Sequence, residues 1–299
     1  MAVPLDREGL LAAVERSPQA FAVHDRDGWV EVFTADARVE DPVGSQPHVG
    51  YEQIYRFYDT FIGPREIKFH RDLDIVFGRA VLRDLELEVA MGSSVTMYVP
   101  AFLRYDLREV NGEWRIAALR AYWELPAMML QFLRTGSRAI SPALHLSRGL
   151  LANQGLAGTA GFMTGFRRVG ARHKKLVEKF LHAVTRGHRF AAPHALSSTA
   201  TITLGDNDPL DIAELVVQLN GASWAKTIGA GPTVVVSLNS GHGRGHHVRR
   251  CCLARQCDQP DPVLSRLIGS AQCATINARC GREQQVAAGK RDVVEDSGP

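Results

Sequence analysis

The strongest constraint in this 299-residue chain is a change of period. Up to residue 61 apolar side chains recur at helical spacing. Beyond that point they alternate, and four successive runs, 67–77, 81–91, 95–107 and 114–123, repeat with period two. Gly78-Arg79, Gly92-Ser93-Ser94 and Asn111-Gly112 separate the runs, as expected of turns between antiparallel neighbours. Within 81–89, Leu85, Leu87 and Val89 share one face and Glu86 and Glu88 the other, which predicts a sheet covered on one side only. Ahead of the sheet, helices are expected around 9–15, 27–33 and 51–61. A short strand at 37–41 stops at Asp41-Pro42, because a residue preceding proline is held extended. The predicted fold class is α+β, with a cone of three helices packed on a curved, mainly antiparallel sheet within residues 1–126.

Residues 127–169 read as a linker helix or hinge. They include the charge-free stretch 149–166, whose 18 residues hold five glycines with Asn153 and Gln154 and are not expected to span a membrane. After it the element order of the first unit recurs: a helix at 174–184, a strand at 200–204, a polar loop, a helix at 210–219 and a strand at 233–238. Residues 170–240 are therefore expected to be a diverged, partial second copy. Asp206, Asp208 and Asp211 cluster there, and capping of the helix accounts for them better than a cation does.

Residues 241–299 have neither period. All five cysteines (251, 252, 257, 273 and 280) fall there, as do nine Lys/Arg against six Asp/Glu, whereas residues 1–240 balance at 26 against 26. A zinc site lacks its paired C-x-x-C spacing, and binding of nucleic acid by 244–255 is the second alternative. The preferred expectation is a disordered end, as from a shifted reading frame. The balanced charge of the rest gives no reason to expect a nucleic-acid partner, and Asp6, Arg7 and Glu8 stand where a secretory leader would be apolar. A cytoplasmic protein without cofactor or metal is expected.

Asp41 is the candidate for chemistry. A carboxylate at a strand end facing an apolar cavity is poorly solvated, so its basicity rises; the same residue before proline could equally cap the following turn. Glu40 should point away from the cavity, and Tyr98 and Arg120 should lie on the outer face of the sheet. The segment 33–58, FTADARVEDPVGSQPHVGYEQIYRFY, with FLRYD at 102–106 and RIAALRAYW at 115–123, resembles the ketosteroid isomerase branch of the nuclear transport factor 2-like superfamily, which also holds SnoaL-like polyketide cyclases.

The resemblance implies that Asp41 removes a proton next to a ketone. It also implies two oxyanion donors, a tyrosine and a protonated aspartate, which are absent here: Ser17 and Ala101 occupy their positions, and Phe33 that of a supporting tyrosine. Only Tyr58 is left of that set. The expected reaction is isomerisation or cyclisation of a hydrophobic ketone, steroid- or polyketide-like, whose own conjugation stabilises the enolate. The alternative is a non-catalytic hydrophobic ligand-binding or assembly module. Strand alternation places Met97, Val99, Ala101, Leu119 and Trp123 with Tyr58 around the ligand, and the sheet offers a face for pairing as a homodimer.

Overall fold

The computed structural model describes residues 6–92, 95–164, 171–188, 201–204, 208–242, 246–256 and 273–278. Helix α1 (Arg7–Ala22) starts where the Asp6 carboxylate accepts the Gly9 N–H at 2.8 Å, and α2 (Arg26–Glu31) where Asp25 accepts that of Gly28 at 2.9 Å. Leu10, Ala13, Val14, Ser17 and Phe21, three or four residues apart, form the buried stripe of α1. Strand β1 (Phe33–Glu40) starts earlier than its periodicity suggests, at the residue expected to end the second helix. Then come β2 (His48–Val49), α3 (Gly50–Phe57) and a π-helical turn (Tyr58–Ile62).

Strands β3 (Glu66–Phe77), β4 (Ala80–Met91), β5 (Val95–Val110) and β6 (Glu113–Tyr122) follow the four alternating runs. They form one curved sheet in the order β2-β1-β6-β5-β4-β3, antiparallel throughout except where β1 lies parallel to β6.

Residues 125–163 are more than a tether. They fold as α4 (Leu125–Leu133), a 3-10 turn (Gly136–Ala139), α5 (Ile140–Gly149), a π-helical turn (Leu150–Gln154) and α6 (Gly155–Met163). Leu125, Phe132 and Ala139 are buried in the first core, where Met128, Met129 and Leu146 pack against them. Among the described residues no helix is long and apolar enough to cross a membrane.

The second unit contains α7 (Ala171–Thr185), β7 (Thr201–Leu204), β8 (Asp208–Pro209), α8 (Ile212–Leu219), β9 (Ser223–Ala230), β10 (Thr233–His242), β11 (His246–Gln256) and β12 (Cys273–Ala278). Its sheet runs β8-β7-β12-β11-β10-β9. Here β12 lies parallel to β11 and antiparallel to β7, the reverse of how β6 meets β5 and β1. Asp211 stands at the N-cap of α8 without a side-chain capping bond, and Asp206 lies outside the described residues. The expected disordered end falls mostly outside them too, while 246–256 and 273–278 are strands.

One expectation about the first sheet is overturned. Its outer face is covered by the second sheet: Ile75, Phe77, Leu82, Phe102 and Tyr122 pack in one cluster with Ile228, Ala230 and Val235. Every residue from Ala80 to Leu85 is consequently buried, and alternation resumes only from Glu86. The reason is sheet-on-sheet stacking, which buries both faces of a strand.

Polar contacts fix the join. The Lys226 ammonium pairs with Asp84, donates to the Leu85 carbonyl at 2.9 Å and to that of Ala101 at 3.3 Å, and lies 4.7 Å over the Phe102 ring. Glu124 accepts from Lys174 and from the Gly229 N–H, each at 3.0 Å. The face expected to pair two copies is thus partly occupied within one chain.

Candidate functional site

Asp41 sits one residue beyond β1 and Trp123 one residue beyond β6, and the parallel register Val39↔Leu119, Glu40↔Arg120 brings these two ends side by side. Strand parity aims Asp41 along with Ala37 and Val39 toward the helices. Glu40 turns away, its carboxylate accepting the Gly44 N–H at 2.9 Å. Tyr98, 50% exposed, and Arg120, paired with Asp106, also lie off the inner face, as alternation predicts.

A cavity of about 150 Å³ opens between helices and sheet. Asp41 lines it with Met97, Val99, Leu119 and Trp123, and the wall continues through Leu87, Val89, Met91, Leu103 and Tyr105. The helical side supplies Ser17, Phe21, Trp29, Phe57 and Phe61. Helices α4 and α5 close it, α4 with Met128, Met129 and Phe132 and α5 with Leu146 from its second half.

The electrostatics follow from that lining. Burial pushes the Asp41 carboxyl up to about 6, against a downward pull from the Trp123 indole N–H, which donates to its Oδ1 at 2.5 Å. One carboxylate oxygen is thus held by Trp123 while Asp41 lines the cavity. A base with this pKa is ionised at neutral pH yet stronger than an exposed aspartate. Among the described residues no group of three or more His, Cys, Asp and Glu is placed to hold a metal ion.

Two sequence-predicted lining residues are corrected. Tyr58 does not line the cavity: the turn of 58–62 gives the wall to Phe57, Phe61 and Ile62 and rotates Tyr58 into the core behind, 5.6 Å from the Trp29 ring. Its buried hydroxyl finds no hydrogen-bond partner among the described residues, and burial raises its pKa. Ala101 has the expected parity but stops short of the cavity, because its single methyl is covered between the larger Val99 and Leu103. Phe33 is likewise core, 4.8 Å from Trp29.

Three contributions go beyond what the sequence assigned to the lining. Ser17 is a lining residue whose Oγ accepts the Trp29 indole N–H at 3.1 Å, so its own proton is free for the cavity. The α4 wall has a signal in hindsight, the strongly apolar LPAMMLQFL. Arg65, between the π-helical turn and β3, lines the cavity with no motif to announce it. Its Nη1 donates to the Thr60 carbonyl at 2.8 Å, and burial lowers its pKa to about 10.

Residues 9–131 match the family model described as the nuclear transport factor 2 (NTF2) domain. Solved structures similar to this chain include the Δ5-3-ketosteroid isomerase from Mycobacterium sp., at 26% identity over 40% of this chain and 96% of that one, with a TM-score of 0.37. The Mycobacterium tuberculosis protein RV0760c, solved in complex with estradiol-17β-hemisuccinate, is 24% identical over 40% of this chain and 95% of its own, with a TM-score of 0.35. A polyketide cyclase-like protein from Sinorhizobium meliloti is 22% identical over 37% of this chain and 93% of that one, with a TM-score of 0.30.

Proposed function

With residues 9–131 matching the NTF2 domain model, we propose that this domain binds a small hydrophobic ketone and uses Asp41 as general base to move a proton beside its carbonyl, in isomerisation or cyclisation. The observation that carries this reading is a carboxylate lining an apolar cavity, one oxygen anchored by Trp123, with its pKa raised to about 6. Its ionised form accepts the proton, and with a pKa of about 6 the acid so formed is still strong enough to return that proton to a second carbon.

The enolate needs donors at the developing negative oxygen. Ser17 supplies a hydroxyl whose oxygen is already held by Trp29, while the second position is the methyl of Ala101. A substrate whose enolate is stabilised by its own conjugation suits this sparse set. Size narrows the choice further. An apolar cavity of about 150 Å³ is on the scale that takes a single benzene ring, so a one- or two-ring ligand fits better than a four-ring steroid.

The probe is 2-tetralone, a two-ring ketone, with exchange of its C1 protons for deuterium followed by NMR. Wild type should accelerate exchange, and Asp41→Asn should lose at least about a hundredfold of that acceleration. Equal rates in both would leave the second reading, a ligand-binding module, which the sparse donor set favours. The organisation of the chain belongs to the same reading: 170–240 serves as a diverged partial copy, and the sheet it forms with β11 and β12 backs the first.

A further inference from the structure

The lining contains two ionisable side chains of opposite charge, Asp41 and Arg65, that do not neutralise one another. Burial and the Trp123 N–H shift Asp41, burial alone shifts Arg65, and neither residue acts on the other. They therefore stand at separate stations of one cavity, Asp41 at the ends of β1 and β6 and Arg65 at the start of β3.

Arg65 is unusual for a half-buried guanidinium. Among the described residues no carboxylate pairs with it, and its neighbour Glu66 is exposed on β3. Arg83 shows how this protein ordinarily compensates such a group: it is bonded to Asp74 at 2.8 Å and to Glu15 at 2.8 Å. Arg65 spends a single N–H on the Thr60 carbonyl. The rest of its fork of donors is uncommitted among the described residues, in a lining that also holds Phe61, Ile67 and Phe69. A charge taken out of water without a partner is costly, and a planar guanidinium is matched in shape by a carboxylate.

We infer that the cavity's ligand is a compact, mostly apolar carboxylate, its acid group bonded to Arg65 while its rings fill the space toward Asp41. The inference rests on the cavity-binding reading above and deepens it: the substrate is then a keto acid, carbonyl at Asp41 and carboxylate at Arg65. The charged anchor also fixes which carbon faces the base, since a rigid one- or two-ring acid held at one end cannot reverse.

The experiment compares 2-naphthylacetate with its neutral isostere 2-naphthylacetamide, titrated calorimetrically into the full chain at pH 7.5. The acid should bind wild type about ten- to a hundredfold more tightly than the amide, as a charge-assisted pair adds to common ring burial. In Arg65→Met that preference should vanish, acid and amide binding within about twofold of one another, because only the shared ring burial is left to hold either. Arg65→Lys, which retains the cation, should keep part of the preference.

Equal binding of acid and amide to wild type overturns the anchor and leaves the cavity reading standing. So does an acid preference that survives Arg65→Met. If neither compound binds, both readings fall together.

Discussion

Replacing Asp41 by asparagine should stabilise this protein at neutral pH and above. The carboxyl is pushed from 3.8 up to about 6 chiefly because the ionised form loses its water. A group whose proton is held more tightly in the folded state adds stability below the unfolded pKa and loses it as pH rises through the folded value. The window therefore runs from about 4 to about 6. Roughly two units correspond to a ceiling of about 3 kcal/mol, and water reaching the cavity reduces this to about 1–2 kcal/mol. Asparagine keeps an oxygen for the Trp123 N–H and cannot ionise. Thermal melts of wild type and Asp41→Asn at a series of pH values should show the variant melting about 3–6 °C higher at pH 8. The two should converge near pH 4. A variant that is less stable at pH 8, or a difference constant across the series, would refute the claim that the carboxylate is desolvated in the native state.

Other consequences are as direct. Ketone proton exchange should rise with pH and level off above about 6, and Trp123→Phe should move that inflection upward by about one unit, since a donor to the ionised form is lost. Ser17→Ala should slow exchange by about ten- to a hundredfold with little change in ligand affinity, as expected of a donor engaged mainly with the enolate; a change confined to affinity would count against that role. Lys226→Ala should cost about 3–5 kcal/mol in denaturant unfolding, because the buried Asp84 carboxylate loses the ammonium paired with it. The double variant Lys226→Met with Asp84→Leu should recover most of that loss, and failure to recover would show that the pair does more than neutralise itself.

The alternating runs and their turn residues were enough to place strands β3 to β6, because period two has a single meaning on a pleated ribbon. The same parity put Asp41, Met97, Val99, Leu119 and Trp123 on the inner face, where they line one cavity. Parity says which way a side chain points, however, and not whether space lies beyond it. Ala101 points inward and is covered by its neighbours, and Tyr58 sits one residue round the helical turn from Phe57, far enough to enter the core.

What local sequence determined here is facing: helix stripes, strand parity and the Asp-Pro stop, all set by backbone geometry within a few residues. What tertiary structure alone decided is closeness across the chain. The hydrogen bond from Trp123 to Asp41, the closure of the cavity by α4 and the burial of the outer face by Lys226 and its sheet each join residues remote in sequence. Desolvation depends on everything that surrounds a group at once, so neither the raised pKa of Asp41 nor the lowered pKa of Arg65 exists until the chain has packed.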